Sequence, residues 1–170
     1  MLSEKKIRKL FEILNKKLKE KNEVGEIGIV GGAVMCLVYK ARASTKDVDA
    51  IFEPAQIIRS LASDIASLEG ISPNWLNDGA KAYIQPHFQR EEIINLSNLK
   101  VWAPEARYLL AMKCISARWD TSDRDDVIFL IKYLNIDSEK DVFTLIEDYY
   151  PQKIIPAKTK FFIQEIIEKI

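Results

Sequence analysis

Residues 25–52, GEIGIVGGAVMCLVYKARASTKDVDAIF, contain two short apolar runs separated by a glycine pair and a segment of helical spacing. The first run ends at Gly31 and Gly32, after which apolar residues recur at intervals of three and four. The second run, residues 47–52, alternates polar and apolar side chains. The stretch therefore predicts a strand, a tight turn, a helix and a second strand.

The glycine pair has a chemical use as well as a structural one. Glycine adopts positive φ without steric cost and lets backbone amides approach a ligand closely. The helix that follows directs free N–H groups and its positive dipole end toward the turn, which favours phosphate. Gly31 and Gly32 therefore predict a phosphate site, although an ordinary strand-to-helix turn would account for the same two residues.

Asp47 and Asp49 are separated by one residue within the second predicted strand. Alternate residues of a strand project from one face, so the two carboxylates are expected side by side. Two neighbouring carboxylates repel each other, but their arrangement becomes favourable around a divalent cation such as Mg²⁺. Substrate phosphates then complete the coordination shell of the cation. The alternative is that Asp47 ends a turn and Asp49 is solvated on an edge strand.

The rest of the chain predicts an α/β (α+β) fold, a small mixed sheet flanked by helices and followed by a helical half. The spacing of apolar residues predicts the following elements: helices over 4–21, 54–69 and about 75–84, strands over 93–96 and 99–102, and helices over 104–118, 124–135, 138–150 and 156–170. The length favours a single domain, residues 1–170, with the sheet within about 24–103 and the helical half within about 104–170.

Composition restricts the partners that the protein could attract. Twenty-five basic residues balance 25 acidic ones, so no net charge draws the protein to nucleic acid or to an anionic membrane. Cys36 and Cys114 lie in apolar helical patterns, as buried free thiols do. The sequence shows no signal peptide and no apolar run of membrane-spanning length. We therefore predict a cytoplasmic protein without a membrane partner.

Lys113 lies near the centre of the apolar stripe of the helix predicted over 104–118. A lysine directed toward a core costs free energy unless its chain reaches water or its ammonium meets an anion. The pattern therefore singles out Lys113 as a candidate functional residue.

The order Val30-Gly31-Gly32, then Asp47-Val48-Asp49 on the next strand, resembles the motif of the nucleotidyltransferase superfamily. Residues 29–53 are similar to a small bacterial branch related to abortive-infection-type toxin nucleotidyltransferases. In that branch an arginine and a serine or threonine precede the acid pair, as Arg42 and Thr45 do here. Arg42 could bind phosphates, or it could pair on the surface with Glu53.

The resemblance extends into the helical half. The branch carries a lysine in a Leu-Leu-x-x-Lys helix, where it meets nucleotide phosphate, and Lys113 matches it. After Arg118 and a polar turn, Asp123 and Asp126 match two further acids, although helix capping would also explain Asp123. Active members of the wider superfamily add a third carboxylate from a later strand. The predicted strand 93–96 has Asn95 instead.

The resemblance implies transfer of a nucleoside monophosphate from a nucleoside triphosphate to an RNA or protein hydroxyl. Asp47 and Asp49 would hold Mg²⁺ or Mn²⁺, with Asp47, Asp49, Lys113 and Asp126 as catalytic candidates. Gly31, Gly32, Arg42, Thr45 and Lys113 would bind the nucleotide. The chain would then be the toxin of a toxin–antitoxin pair, with a cognate antitoxin as partner. The alternative is a nucleotide-binding or protein-interaction module that kept the fold and lost catalysis.

Overall fold

The protein is described here by a computed structural model that covers residues 1–116 and 121–170. The chain forms two compact units. The first comprises Met1–Ala82 and Arg90–Pro104, and the second comprises Tyr83–Gln89 and Glu105–Ile170. The last residues of the helix predicted over 104–118, together with Arg118 of the family resemblance, lie outside the described residues.

The first unit contains a five-stranded mixed sheet, a two-stranded sheet and three α-helices. Its elements are β1 (Leu2–Ser3), α1 (Glu4–Glu20), β2 (Gly25–Ile29), α2 (Gly31–Leu37), β3 (Ser44–Thr45), β4 (Val48–Glu53), α3 (Ala55–Glu69), β5 (Leu76–Asn77), β6 (Arg90–Asn95) and β7 (Leu99–Pro104). The large sheet has the order β5-β4-β2-β7-β6, and β1 pairs with β3. The predicted α/β class is confirmed.

The two faces of the large sheet carry different side chains. β2 runs antiparallel to β4, with Gly28 opposite Ile51 and Glu26 opposite Glu53, and parallel to β7, with Gly28 opposite Trp102. These residues and Asp49 define what we call the site face. The opposite face carries the fully buried residues Ile27, Ile29, Val48, Ala50 and Val101.

The buried face of the sheet is covered by α1 and α3. The predicted stripe of α1, with Ile7, Leu10, Phe11, Leu14 and Leu18, is fully buried. A Cβ atom built on Gly25, at the start of β2, would meet Leu18 of α1 and Ile58 of α3. Alternate positions of β2 therefore face these helices, which leaves the intervening positions for the site face.

The helix predicted over about 75–84 is wrong for its first half, and only the later residues of that range are helical. Trp75 is buried and donates its indole N–H to the carbonyl of Ala62. It precedes the two-residue strand β5, and a 3-10 helix follows over Gly79–Tyr83. A two-residue strand has too few residues to show an alternating pattern, so its pairing with β4 defines it.

The second unit is helical. Its elements are α4 (Ala106–Ser116), α5 (Thr121–Tyr133), α6 (Glu139–Tyr149) and α7 (Ala157–Lys169). The predicted stripes supply its core, which contains Val127, Leu130, Ile131, Val142, Leu145, Ile146, Ile163 and Ile166. Within residues 1–116 and 121–170, no helix is long and apolar enough to cross a membrane.

Candidate functional site

The glycine pair lies directly after β2, where the chain turns into α2. Gly31 has a left-handed backbone with φ of 64°, a conformation that glycine adopts without steric cost. A Cβ atom built on Gly31 would lie 3.3 Å from Oδ2 of Asp49. Because glycine has no side chain, no Cβ atom lies against this side of the Asp49 carboxylate.

Gly32 lies against two residues that the family resemblance singles out. A Cβ atom built on Gly32 would lie 2.6 Å from Oγ1 of Thr45 and 3.3 Å from a guanidinium nitrogen of Arg42. Thr45 is buried, and its backbone pairs with Leu2 in the β1–β3 ladder. The structure therefore brings Gly32, Thr45 and Arg42 together, at the turn that also contacts Asp49.

The two aspartates lie at the start of β4. Asp49 is within the strand, whereas Asp47 precedes its first residue, Val48, whose amide donates to the carbonyl of Trp75 over 2.7 Å. Both aspartates are half-buried. The expectation that both lie within the strand therefore holds for Asp49 and not for Asp47, although the difference is one residue, within the usual range for a strand end.

The donor set at this turn suits a metal ion that a nucleotide helps to bind. In the part of the chain that the structure describes, no three histidine, cysteine, aspartate or glutamate side chains are grouped to hold a metal. Mg²⁺ commonly uses one or two protein carboxylates, with substrate phosphates and water completing its shell. Asp47 and Asp49 are the carboxylates that could fill that role.

The residue opposite Asp49 on the next strand is Asn77. β5 runs parallel to β4, and the register pairs Asp49 with Asn77. Asn95, in contrast, pairs with Lys100, which in turn lies opposite Glu26, and Glu26 lies opposite Glu53. Residues that pair across neighbouring strands form a row perpendicular to the strands. Asn95 is therefore in the row of Glu53 and not in that of Asp49. Asn77 is better placed to share a ligand with Asp49, and only strand pairing reveals it.

The second unit contains a cluster of the buried residues Lys113 and Asp126 and the partly exposed Asp123. Nζ of Lys113 lies 2.5 Å from Oδ2 of Asp126 and 3.4 Å from Oδ1 of Asp123. Lys113 is 6% exposed and Asp126 is 2% exposed. The core-facing position predicted for Lys113 is confirmed, and the two aspartates that the family resemblance matched are its partners. This pairing gives Lys113 a structural role, because a buried ammonium requires an anion.

The site face carries a cavity of about 350 Å³ that the sequence did not predict. Gly28 forms part of its lining, and a Cβ atom at this position would overlap the Trp102 ring. The Trp102 indole N–H donates to Oε1 of Glu26 over 2.8 Å, and the Arg90 guanidinium lies 4.3 Å from the Trp102 ring centroid. The sequence feature that could have indicated this packing is Gly28 itself, because a glycine inside a strand often marks the close approach of another group.

Together, the mixed sheet, the glycine turn and the Asp-x-Asp at the start of the adjacent strand define a protein of the nucleotidyltransferase superfamily. The chain belongs to the family described as "nucleotidyltransferase of unknown function (DUF6036)", whose family model matches residues 5–151. No curated protein and no solved structure gives a significant match. The superfamily resemblance drawn from the sequence is thereby confirmed, while the family itself leaves the reaction open.

Proposed function

We propose that the protein transfers a nucleoside monophosphate from a nucleoside triphosphate to an RNA or protein hydroxyl, in a reaction that depends on Mg²⁺ or Mn²⁺. The observation that carries the proposal is the approach of Gly31 to the Asp49 carboxylate and of Gly32 to Thr45 and Arg42. A turn that lacks side chains, carboxylates for a metal and a guanidinium for phosphate are what a triphosphate requires.

The proposed step breaks a phosphoanhydride bond of the nucleotide and forms a phosphoester bond to the acceptor. The acceptor hydroxyl oxygen attacks the α-phosphorus, the bond from that phosphorus to the pyrophosphate oxygen breaks, and pyrophosphate leaves with the bonding electrons. The hydroxyl proton passes to a carboxylate of Asp47 or Asp49, or to water. Gly31 and Gly32 admit the phosphates, while Arg42 and Thr45 orient them.

Asp47 and Asp49 would hold the metal, which when bound neutralises the charge that develops on the phosphate oxygens. The part proposed for Lys113 and Asp126 in catalysis rests on the family resemblance. Both residues belong to the second unit, where each is the other's ion-pair partner. Their contribution to activity therefore has to be measured separately from their contribution to folding.

The test is incubation of the purified protein with each of the four α-labelled nucleoside triphosphates, Mg²⁺ and either total cellular RNA or total cellular protein. We expect a labelled acceptor and stoichiometric pyrophosphate. Asp49→Asn should lower both at least 100-fold, as loss of a metal ligand does. Asp64→Asn, an exposed position on α3, is the matched control. Absence of label and of pyrophosphate with all four nucleotides would refute the transferase.

The second candidate is a nucleotide-binding module without catalysis. Asn77 favours it, because the residue opposite Asp49 is an amide and supplies no third negative charge. Such a module would still bind nucleotide more tightly with Mg²⁺ and lose this dependence in Asp49→Asn. It would release no pyrophosphate, and this measurement separates the two candidates.

The family resemblance also supports a toxin of a toxin–antitoxin pair, with a cognate antitoxin as partner. Regulated expression in bacteria tests this proposal. The wild-type chain should arrest growth, and Asp49→Asn should not, although both accumulate to the same level. Normal growth with abundant wild-type protein would exclude the toxin role without excluding nucleotidyl transfer.

A further inference from the structure

The site-face cavity lies next to the acid pair along the strands. Gly28 on β2 and Ile51 on β4 both line it and are direct partners in the antiparallel register. Ile51 follows Asp49 by two residues, so their side chains project from the same face, about 7 Å apart along the strand. A group bound in the cavity could therefore reach the metal site proposed at Asp49.

The register also fixes which side of Asp49 the cavity occupies. The Val30 amide donates to the Asp49 carbonyl over 2.9 Å. Along β2 the glycine turn follows Val30, whereas Gly28 precedes it, so the Asp49 row lies between the turn and the cavity. The attacking and leaving oxygens in phosphoryl transfer lie on opposite sides of the phosphorus. With pyrophosphate at the glycine turn, the acceptor would therefore approach from the cavity.

The charges of the cavity are balanced. Its ionisable lining residues are three cations, Arg59, Lys81 and Arg90, and three carboxylates, Glu26, Glu53 and Asp78. Two ion pairs lie within the lining: Arg59 with Asp78 at 2.8 Å, and Arg90 with Glu26 at 3.7 Å. An RNA backbone is bound through an excess of cations. The balanced lining of this cavity offers no such excess.

The shape of the cavity favours a side chain presented by a protein over a free small molecule. Glu26, Glu53, Arg59, Lys81 and Arg90 are all exposed, so the cavity is an open depression. Small-molecule sites normally bury most of their ligand. Mixed charges around an apolar floor are typical of surfaces that recognise another protein.

We propose that this cavity binds the acceptor and that the acceptor is a side-chain hydroxyl of a protein, not an RNA end. The proposal rests on the proposed transfer reaction. The acceptor side chain occupies the cavity, its hydroxyl oxygen forms the new bond to the α-phosphorus, and pyrophosphate departs toward the glycine turn. The hydroxyl proton passes to Asp49 or to water. Lys81 and Glu53, at the entrance, favour acceptor proteins whose charges near the hydroxyl are complementary to their own.

The test compares acceptors and charge variants. The protein is incubated with α-labelled nucleotide and Mg²⁺, in one arm with nuclease-treated cellular protein and in the other with protease-treated cellular RNA. We expect protease-sensitive label in the first arm only. Lys81→Glu and Glu53→Lys should each reduce it about tenfold while nucleotide affinity stays within twofold. Lys16→Glu, an exposed lysine of α1, makes the same charge change outside the cavity and should have no effect.

Each other result has a distinct meaning. Label in RNA, or protein label unaffected by both cavity variants, would overturn the acceptor proposal and leave the transferase intact. Pyrophosphate release without label in either arm would also overturn it, because the acceptor would then be water or a small molecule. Failure to release pyrophosphate in either arm would remove the proposed reaction itself, and the acceptor proposal with it.

Discussion

Asp49 in the first unit and Asp126 in the second are both aspartates near a second acid, but their surroundings differ. Asp49 is half-buried beside a turn without side chains. Asp126 is 2% exposed, and its carboxylate lies 2.5 Å from the Lys113 ammonium. The second unit therefore pairs its carboxylate with a buried cation of its own chain, whereas the carboxylate of the first unit is partly exposed to solvent.

The difference shows that residue type does not reveal what a charged side chain does. A buried charge without a partner costs several kcal/mol, so loss of either Lys113 or Asp126 alone should strongly destabilise its unit. A half-buried carboxylate keeps part of its hydration, so its removal should cost less stability than breaking a fully buried ion pair. Stability should therefore respond to changes at Lys113 and Asp126, and nucleotide binding to changes at the glycine turn and Asp49.

The largest loss of stability is expected for Asp126→Ala. Loss of this carboxylate leaves the Lys113 ammonium buried without its nearest partner, at a cost of about 3–5 kcal/mol in the free energy of unfolding. Urea unfolding followed by circular dichroism measures it. Asp125→Ala, an exposed neighbour on the same helix, should change stability by less than about 0.5 kcal/mol. If the double variant Lys113→Met with Asp126→Leu is not more stable than Asp126→Ala, the pair does not act as a buried ion pair.

Gly28→Ala should have the next largest effect. The added Cβ would overlap the Trp102 ring, so the indole or the strand must move, at a cost of about 1–3 kcal/mol. Tryptophan fluorescence should change at the same time, because Trp102 would lose its place beside Glu26. The double variant Gly28→Ala with Trp102→Leu should recover part of the lost stability. An unchanged emission spectrum in Gly28→Ala would contradict the packing of Trp102 on Gly28.

Gly31→Ala and Gly70→Ala form a matched pair, with φ of 64° and 62°. Alanine at either position imposes a similar backbone strain, of about 1 kcal/mol. Only at Gly31 would the new Cβ face Asp49, because nothing lies within 4 Å of a Cβ at Gly70. We therefore expect similar losses of stability and about a tenfold loss of Mg²⁺-dependent nucleotide affinity in Gly31→Ala alone. Equal nucleotide affinities in the two variants would argue against a phosphate site at the turn.

The smallest effect concerns the thiol beside the buried lysine. Burial raises the pKa of Cys114 to about 12, and the neighbouring Lys113 charge opposes this increase without overcoming it. At pH 8 only about one thiol in ten thousand would be ionised, so a thiol reagent should label native Cys114 very slowly. The Cys36→Ser variant isolates this thiol, and the same protein in urea is the control. Rapid labelling of the native variant would indicate that α4 is accessible to water.

The elements that the sequence predicted well are those with a long, regular pattern. The apolar stripe of α1, the strand before Gly31 and the stripes of α5, α6 and α7 are all found close to their predicted bounds. The core-facing position of Lys113 followed from the same helical geometry. The segment around Trp75 was not predictable, because its short strand exists only through pairing with β4.

The sequence by itself determined the order of strand, glycine turn, helix and Asp-x-Asp, and with it the superfamily. These features are local, because the backbone freedom of Gly31 and the alternation along residues 47–52 depend on neighbouring residues alone. Only the tertiary structure decided that Asn77 lies opposite Asp49, that Trp102 packs on Gly28 and that Lys113 meets Asp126. Strand register and side-chain packing decide these contacts, because they join residues whose separation along the chain carries no information about their distance in the fold.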